Sequence, residues 1–352
     1  IVYLVTLGRV YRSEDGGDSW VSISSGLTSY SWSGKQSAEL VYEVAVDPSK
    51  SVHLLAGTRT DGEWHGGLFE SNDSGQKWTQ IAGSNLKGTE LAADAWPIVL
   101  SEKTDKIVLV GGRVGVWLSE DRGRKFKRVD PGGVGEHDIR DLTPFVPGSK
   151  DVYLAAARGV WGSGDHGETW SKKPLLEGDA CCVAFDPYAR KRLYAVLRDR
   201  GLFMSDDARH QKWTELGHAE LEVTGLAFPP KEPKAIVATS RATGLHVSKD
   251  EGKTFTPLNG GLSTLAPAVC AVAVSPKDGT HLAVTDLGMV HTSGDRGQSW
   301  KHVGRLGQRC REILVGDLLI LLDRLAGCRI DDCVLAHLAP LPMRSHGFVA
   351  DY

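Results

Sequence analysis

The sequence predicts an all-β protein: a seven-bladed β-propeller of four-stranded antiparallel blades, its ring closed by a strand from the C-terminal side. A Ser-x-Asp-x-Gly-x-x-aromatic pattern recurs seven times along the 352 residues. Successive copies start 58, 48, 44, 42, 43 and 45 residues apart. A period in the forties, built from strand-like runs, is the signature of radially repeated blades. No long stretch with a helical apolar period competes with those runs.

The copies are SEDGGDSW from Ser13, SNDSGQKW from Ser71, SEDRGRKF from Ser119, SGDHGETW from Ser163, SDDARHQKW from Ser205, SKDEGKTF from Ser248 and SGDRGQSW from Ser293. Serine and aspartate side chains bond a turn's own backbone. Glycine takes the positive φ that other residues resist. The closing Trp or Phe (20, 78, 126, 170, 213, 255 and 300) is expected to wedge between neighbouring sheets. The aspartates of the seven turns are Asp15, Asp73, Asp121, Asp165, Asp207, Asp250 and Asp295. The fifth copy has one extra residue and Ala208-Arg209 where glycine belongs, so a looser turn is expected there.

Each repeat supplies the other strands. VYEVAVDP (41–48), CCVAFDP (181–187), VTGLAFPP (223–230) and VCAVAVSP (269–276) read as inner strands. HLLAGTR, RLYAVLR and AIVATSR read as second strands, and GGLFESND and GLHVSKD as third strands running into the serine–aspartate turn. The chain starts at a second strand, IVYLVTLG, so blade one lacks its inner strand. Residues 312–316, EILVG, are the candidate to supply it, and closure removes sheet edges that invite aggregation.

Composition narrows the function classes. The hydrophobic share of 41% and the charged share of 24% are ordinary for a globular chain. A formal net charge of −3 gives no basic field for nucleic acid. No apolar run is long enough to span a bilayer. No leader is visible before Ile1, which fits either a processed leader or a start inside a longer chain. Cys181, Cys182 and Cys270 read as buried free thiols rather than a disulfide framework.

The seven copies, covering residues 1 to about 305, resemble the Asp-box, or BNR, repeat family. Its members include sialidases, xyloglucan-cleaving two-propeller glycosidases, sortilin-type receptors and the photosystem II assembly propeller. AVDPSKSVHLLAGTR and GGLFESNDSGQKW are most similar to the xyloglucanase-like and sortilin-like repeats. The resemblance implies that the seven Asp-box aspartates are structural and lie on the face opposite the ligand site, and it slightly favours an extracellular or periplasmic setting. Departures separate the chain from each activity. It has no Phe/Tyr-Arg-Ile-Pro motif of sialidases, room for one propeller rather than two, and fewer blades than the sortilin type.

The expected ligand face is built from loops joining second to third strands and loops joining one blade to the next. Arginine recurs where second strands end: Arg59, Arg113, Arg158, Arg198 and Arg241. Two readings stay open: a ring attracting carboxylate, phosphate or an acidic partner, or repeat-consensus residues each paired with a carboxylate of the next blade. The long loops of blades one to three carry Tyr30, Trp32, Trp64, His65 and Trp96 beside Glu39, Asp61, Glu63, Glu90 and Asp94. Aromatic faces beside carboxylates suit sugars. Glycoside hydrolysis needs two facing carboxyls, and Asp61, Glu63 and Asp94 are the candidates, with Glu136 and Asp138 behind them.

From residue 323 the pattern stops, which divides the chain into a propeller (1–322) and a tail (323–352). Cys328, Cys333 and His337, with Cys310 and His346 further off, do not form one of the strong zinc spacings, so no metal and no cofactor is expected. The leading expectation is a monomeric propeller that binds carbohydrate or protein on its loop-rich face. The alternatives are a glycoside hydrolase and an assembly factor that holds an acidic protein surface through the arginine rim.

Overall fold

A computed structural model describes residues 1–6, 9–30, 36–38, 40–48, 50–59, 67–82, 97–101, 106–112, 115–130, 139–143, 149–189, 191–207, 209–240, 242–262, 269–275, 279–285, 287–305 and 310–315. The alternating apolar runs form seven four-stranded antiparallel sheets. Blade 2 consists of Leu40–Val46, Leu54–Arg59, Gly67–Ser71 and Thr79–Ala82, from inside outwards. Blade 3 has Ile98–Leu100, Val108–Gly112, Gly115–Ser119 and Lys127–Arg128. Blade 4 has Ile139–Leu142, Val152–Ala156, Gly159–Ser163 and Leu176–Glu177. Blade 5 has Ala180–Phe185, Leu193–Leu197, Gly201–Ser205 and Thr214–Gly217. Blade 6 has Val223–Ala227, Ile236–Ser240, Gly244–Ser248 and Thr256–Pro257. Blade 7 has Val269–Val274, His281–Thr285, Met289–Ser293 and Lys301–Arg305.

Blade 1 is assembled from both ends of the ring. Val2–Thr6, Arg9–Ser13 and Val21–Ser22 are joined on the inside by Cys310–Val315. That strand runs antiparallel to Val2–Thr6, with Leu4 opposite Ile313, so the expected closure is present and begins two residues earlier than the sequence suggested. A further two-stranded hairpin, Thr28–Tyr30 with Gln36–Ala38, sits in what the sequence reading treated as a plain long loop.

The apolar core is divided among the blade interfaces. Each of seven buried clusters draws on two adjacent blades, and each includes one turn-closing aromatic. Trp78 packs with Tyr3, Val10 and Phe69 between blades 1 and 2, and its indole N–H donates to Ile23 O of blade 1 at 2.7 Å. Trp300 does the same between blades 6 and 7, donating to Leu258 O at 2.8 Å. The expected wedging is present at every interface, and at Trp78 and Trp300 the ring also satisfies a carbonyl of the preceding blade, whereas Trp20 and Trp213 donate within their own turns, to Gly17 O and His210 O.

The inner strands share an irregularity that the sequence reading missed. The register slips by one residue at Tyr42, Arg140, Cys181, Thr224, Cys270 and Arg311, a β-bulge repeated at the start of six inner strands. In blades 5, 6 and 7 the bulged side chain donates to a second-strand carbonyl: Cys181 to Val196, Thr224 to Thr239 and Cys270 to Val284. Cys182 is buried as expected, but Cys181 and Cys270 are only half-buried. At the bulge these two free thiols pack only against the margin of the interface clusters, which corrects the expectation that all three are fully buried.

Candidate functional site

Antiparallel order fixes what each face can hold. Turns leaving the third strand and turns leaving the inner strand lie on one face. Arg122 N–H donates to Lys106 O, His166 N–H to Lys150 O and Glu251 N–H to Lys234 O, tying the two turn sets of one blade together. Loops leaving second strands and the links between blades emerge on the opposite face.

On the first face the serine–aspartate turns use their polar groups internally. Ser163 Oγ donates to Asp165 Oδ1 at 2.7 Å and accepts the Gly167 N–H at 2.8 Å, while Asp165 Oδ1 accepts the Thr169 N–H at 2.8 Å. The same three bonds recur at Ser13, Ser71, Ser119, Ser248 and Ser293. The turn glycine lies at positive φ in all six, and at Gly75 an added Cβ would stand 2.3 Å from Ile23 Cδ1 of the preceding blade. Glycine is thus required twice, by the turn and by the blade interface.

These bonds hold the carboxylates ionised. The hydroxyl and N–H of Thr254, then Ser248, hold the Asp250 carboxyl down at about 2, and Ser299 and Ser293 do so at about 2 for Asp295. Ser19 and Ser13 lower Asp15, the Lys77 N–H and Ser71 lower Asp73, and the Gln211 and Arg209 N–H groups lower Asp207. At Asp121 and Asp165 burial is the largest single influence and pushes upward, but the summed hydrogen bonds outweigh it. Carboxylates held this low are poor proton donors near neutral pH. At the fifth turn Asp207 accepts the Gln211 N–H at 3.0 Å, but the buried Ser205 Oγ has no hydrogen-bond partner among the described residues. The extra residue has broken the serine's bonds, as the sequence suggested.

By chain position, the sequence-derived site candidates belong to connections whose flanking strand ends lie on the opposite face. Asp61, Glu63, Trp64 and His65 fall on the connection between the second and third strands of blade 2. Asp94 and Trp96 fall in the sequence between the last strand of blade 2 and the first of blade 3, and Trp32 between Thr28–Tyr30 and Gln36–Ala38. All seven lie outside the described residues, as do Arg113, Arg241 and the Arg59 side chain. Glu39, Glu90, Glu136, Asp138 and the tail beyond residue 315 lie outside them too.

Arg158 and Arg198 are described, and they differ. Arg198 Nε lies 3.7 Å from Asp179 Oδ2, and its N–H donates to Asp179 O at 2.9 Å. Asp179 also accepts a hydrogen bond from Arg140 of blade 4, whose guanidinium reaches Ala180 O at 3.1 Å. The Arg198 partner sits at the entrance to its own blade rather than in the next one. The inter-blade bond comes instead from Arg140, which no repeat pattern marked because it occupies the bulge. Arg158 is exposed, and its guanidinium makes no ion pair or hydrogen bond with any described residue. The link between blades 4 and 5 is only Gly178-Asp179, the shortest of the links between blades. Among the described residues no group of three His, Cys, Asp or Glu could hold a metal ion, and no helix is long and apolar enough to cross a membrane.

No family model matches the chain. Over 208 residues it is 24% identical to a xyloglucanase from Paenibacillus sp., an alignment covering 49% of this chain and 20% of that protein. Among solved structures it is similar to the GH74 xyloglucanase from Xanthomonas campestris, with a TM-score of 0.59 and 17% identity over 81% of this chain and 46% of that one. YCF48 from Cyanidioschyzon merolae gives a TM-score of 0.59 and 17% identity, covering 77% of this chain and 87% of that one. YCF48 bound to D1 peptide gives 0.56 and 16%, covering 80% and 85%. The chain thus spans a fifth of the curated relative and under half of the first solved one. At these identities the likeness establishes the propeller fold, which hosts both glycan-cleaving and peptide-binding members.

Proposed function

We propose that this chain is a binding module whose loop-rich face recognises a glycan or protein partner. The division between the two faces carries the reading. Six of the seven serine–aspartate turns spend their polar groups on their own backbone, and the longest connections leave strand ends on the other side. A rigid ring presenting variable loops is a recurrent way to build a recognition surface. The mechanism is presentation. The blade interfaces fix the strand ends, the loops of blades 1–3 offer Trp32, Trp64 and Trp96 as stacking surfaces, and no bond is broken.

The match to a xyloglucanase supports a second reading, a glycoside hydrolase with Asp61, Glu63 and Asp94 as its carboxyl candidates. A glycan array and a glycosidase screen on the wild type beside the Asp61→Asn/Asp94→Asn variant separate the two. The module reading expects glycan or protein capture without turnover. Turnover abolished in the variant establishes the hydrolase. The arginine-rim form of protein binding predicts salt-sensitive capture weakened by Arg158→Ala.

A further inference from the structure

In every blade the third residue of the third strand is a ring: Tyr11, Phe69, Trp117, Trp161, Phe203, His246 and His291. In blades 1–5 this ring packs into the cluster shared with the preceding blade. Blades 6 and 7 put an imidazole in that apolar place. His246 is 5% exposed and His291 2%. Neither ring nitrogen of His291 has a hydrogen-bond partner among the described residues, and neither does His246 Nδ1. His246 Nε2 has only the Thr243 hydroxyl, at 3.4 Å.

No carboxylate among the described residues acts on either ring, and the one neighbour that favours protonation is the Gly244 backbone beside His246. The one titratable group acting on His291 is another imidazole, His302, with ring centroids 5.2 Å apart, and it opposes protonation. At His246 burial dominates, and no charged side chain among the described residues acts on it. Two more buried histidines lie in the same arc. His210 stands edge-on to Tyr153 of blade 4, with Asp207, Asp151 and Asp206 nearby. His281 meets Trp300 and bonds Gly279 O, with Glu232, Arg296 and Asp295 nearby. Burial lowers both of these histidines as well, with those carboxylates acting in the opposite direction.

We propose that blades 5–7 form an acid-sensitive arc of the ring, in which protonation of His246 and His291 loosens the interfaces on either side of blade 6 and leaves blades 1–3 closed. Burial lowers both histidines below the ordinary imidazole value of 6.5. The unfolded or opened state therefore binds more protons as pH falls below about 6.5, and stability falls with it. A charge placed in an apolar interface without a partner is the costliest form of that uptake. The arc ends at blade 7, beside the strand Cys310–Val315 that closes the ring.

The repeat supplies its own control. Phe69 and Phe203 stand opposite Ala56 and Ala195, just as His246 and His291 stand opposite Ala238 and Ala283. Phenylalanine is therefore the residue the repeat itself uses against that alanine, and His246→Phe/His291→Phe removes the titration of these two sites while keeping an aromatic ring there. Amide exchange, corrected for its intrinsic pH dependence, and urea unfolding would be followed between about pH 7.5 and about pH 5. In the wild type, exchange in Gly244–Ser248 and Met289–Ser293 rises at least about tenfold relative to blades 2 and 3. In the double variant that rise is lost. Superimposable acid profiles for the two proteins overturn the proposal. If the variant folds poorly, the wild-type urea series still decides: a stability independent of pH between about 6.5 and about 5 also overturns it.

Discussion

Ser119→Ala and Ser205→Ala make the same change at equivalent points of two repeats, and the structure gives them opposite outcomes. Ser119 is fully buried. Its Oγ donates to Asp121 at 2.9 Å and accepts the buried Gly123 N–H at 2.8 Å. Alanine leaves that N–H without an acceptor, and a buried donor stripped of its partner costs about 1–3 kcal/mol. Ser205 is 1% exposed, but its Oγ has lost both bonds to the inserted residue. Alanine there breaks no bond and removes a desolvated hydroxyl, so the expected change runs from zero to about 1 kcal/mol of stabilisation. Equilibrium urea unfolding of both variants beside the wild type, at a pH near neutral, reads the difference as midpoints moved in opposite directions. A Ser205→Ala loss as large as that of Ser119→Ala would refute the argument, because the serine would then anchor its turn by something other than hydrogen bonds.

The other predictions use the same comparison between repeats. Asp141 Oδ2 accepts the Val183 N–H of the next blade at 2.9 Å, as Glu43 accepts that of Ile98 at 3.1 Å. Asp141→Ala is expected to cost about 1–3 kcal/mol and to speed amide exchange at Val183 more than in blade 2. Cys181→Thr and Cys270→Thr are expected to leave the unfolding midpoint within about 0.5 kcal/mol of wild type, since Thr224 already fills that bulge and caps the matching carbonyl. The turn carboxylates are depressed below 3.8, with Asp250 and Asp295 at about 2. Their contribution is complete above about pH 4 and is lost as pH falls through about 2. An acid titration of the His246→Phe/His291→Phe variant reads this lower window, and a transition confined to higher pH would contradict it.

The repeat was legible because its chemistry is local. Ser163, Asp165 and Gly167 find one another across four residues, so spacing alone exposes the turn, and the aromatic that follows marks an interface. The bulge was not legible, because a register slip at Arg140 or Cys181 is defined only against the paired strand. Arg140 consequently went unnoticed, although it is the residue that reaches Asp179 across the blade boundary. The arginine series misled in part for a related reason. Recurrence placed Arg158 and Arg198 at equivalent strand ends, yet only the tertiary neighbourhood distinguishes the one paired with Asp179 from the one exposed without a described partner.

A ring of equivalent blades has no unique place on it, so any specific role must come from the departures between repeats. Here they fall in two separate arcs. The long connections and most of the unassigned tryptophans belong to blades 1–3, while the broken serine turn and the buried imidazoles in aromatic positions belong to blades 5–7. Each blade packs against its two neighbours alone, which limits how far a local change spreads. Substitutions at His246 and His291 should therefore change the acid response without altering recognition at neutral pH, and substitutions at Trp64 or Trp96 should do the reverse. Partner capture measured at about pH 7.5 and about pH 5.5 on both sets of variants tests that independence. Capture at the higher pH lost in the histidine variants would show that the two arcs are mechanically coupled around the ring.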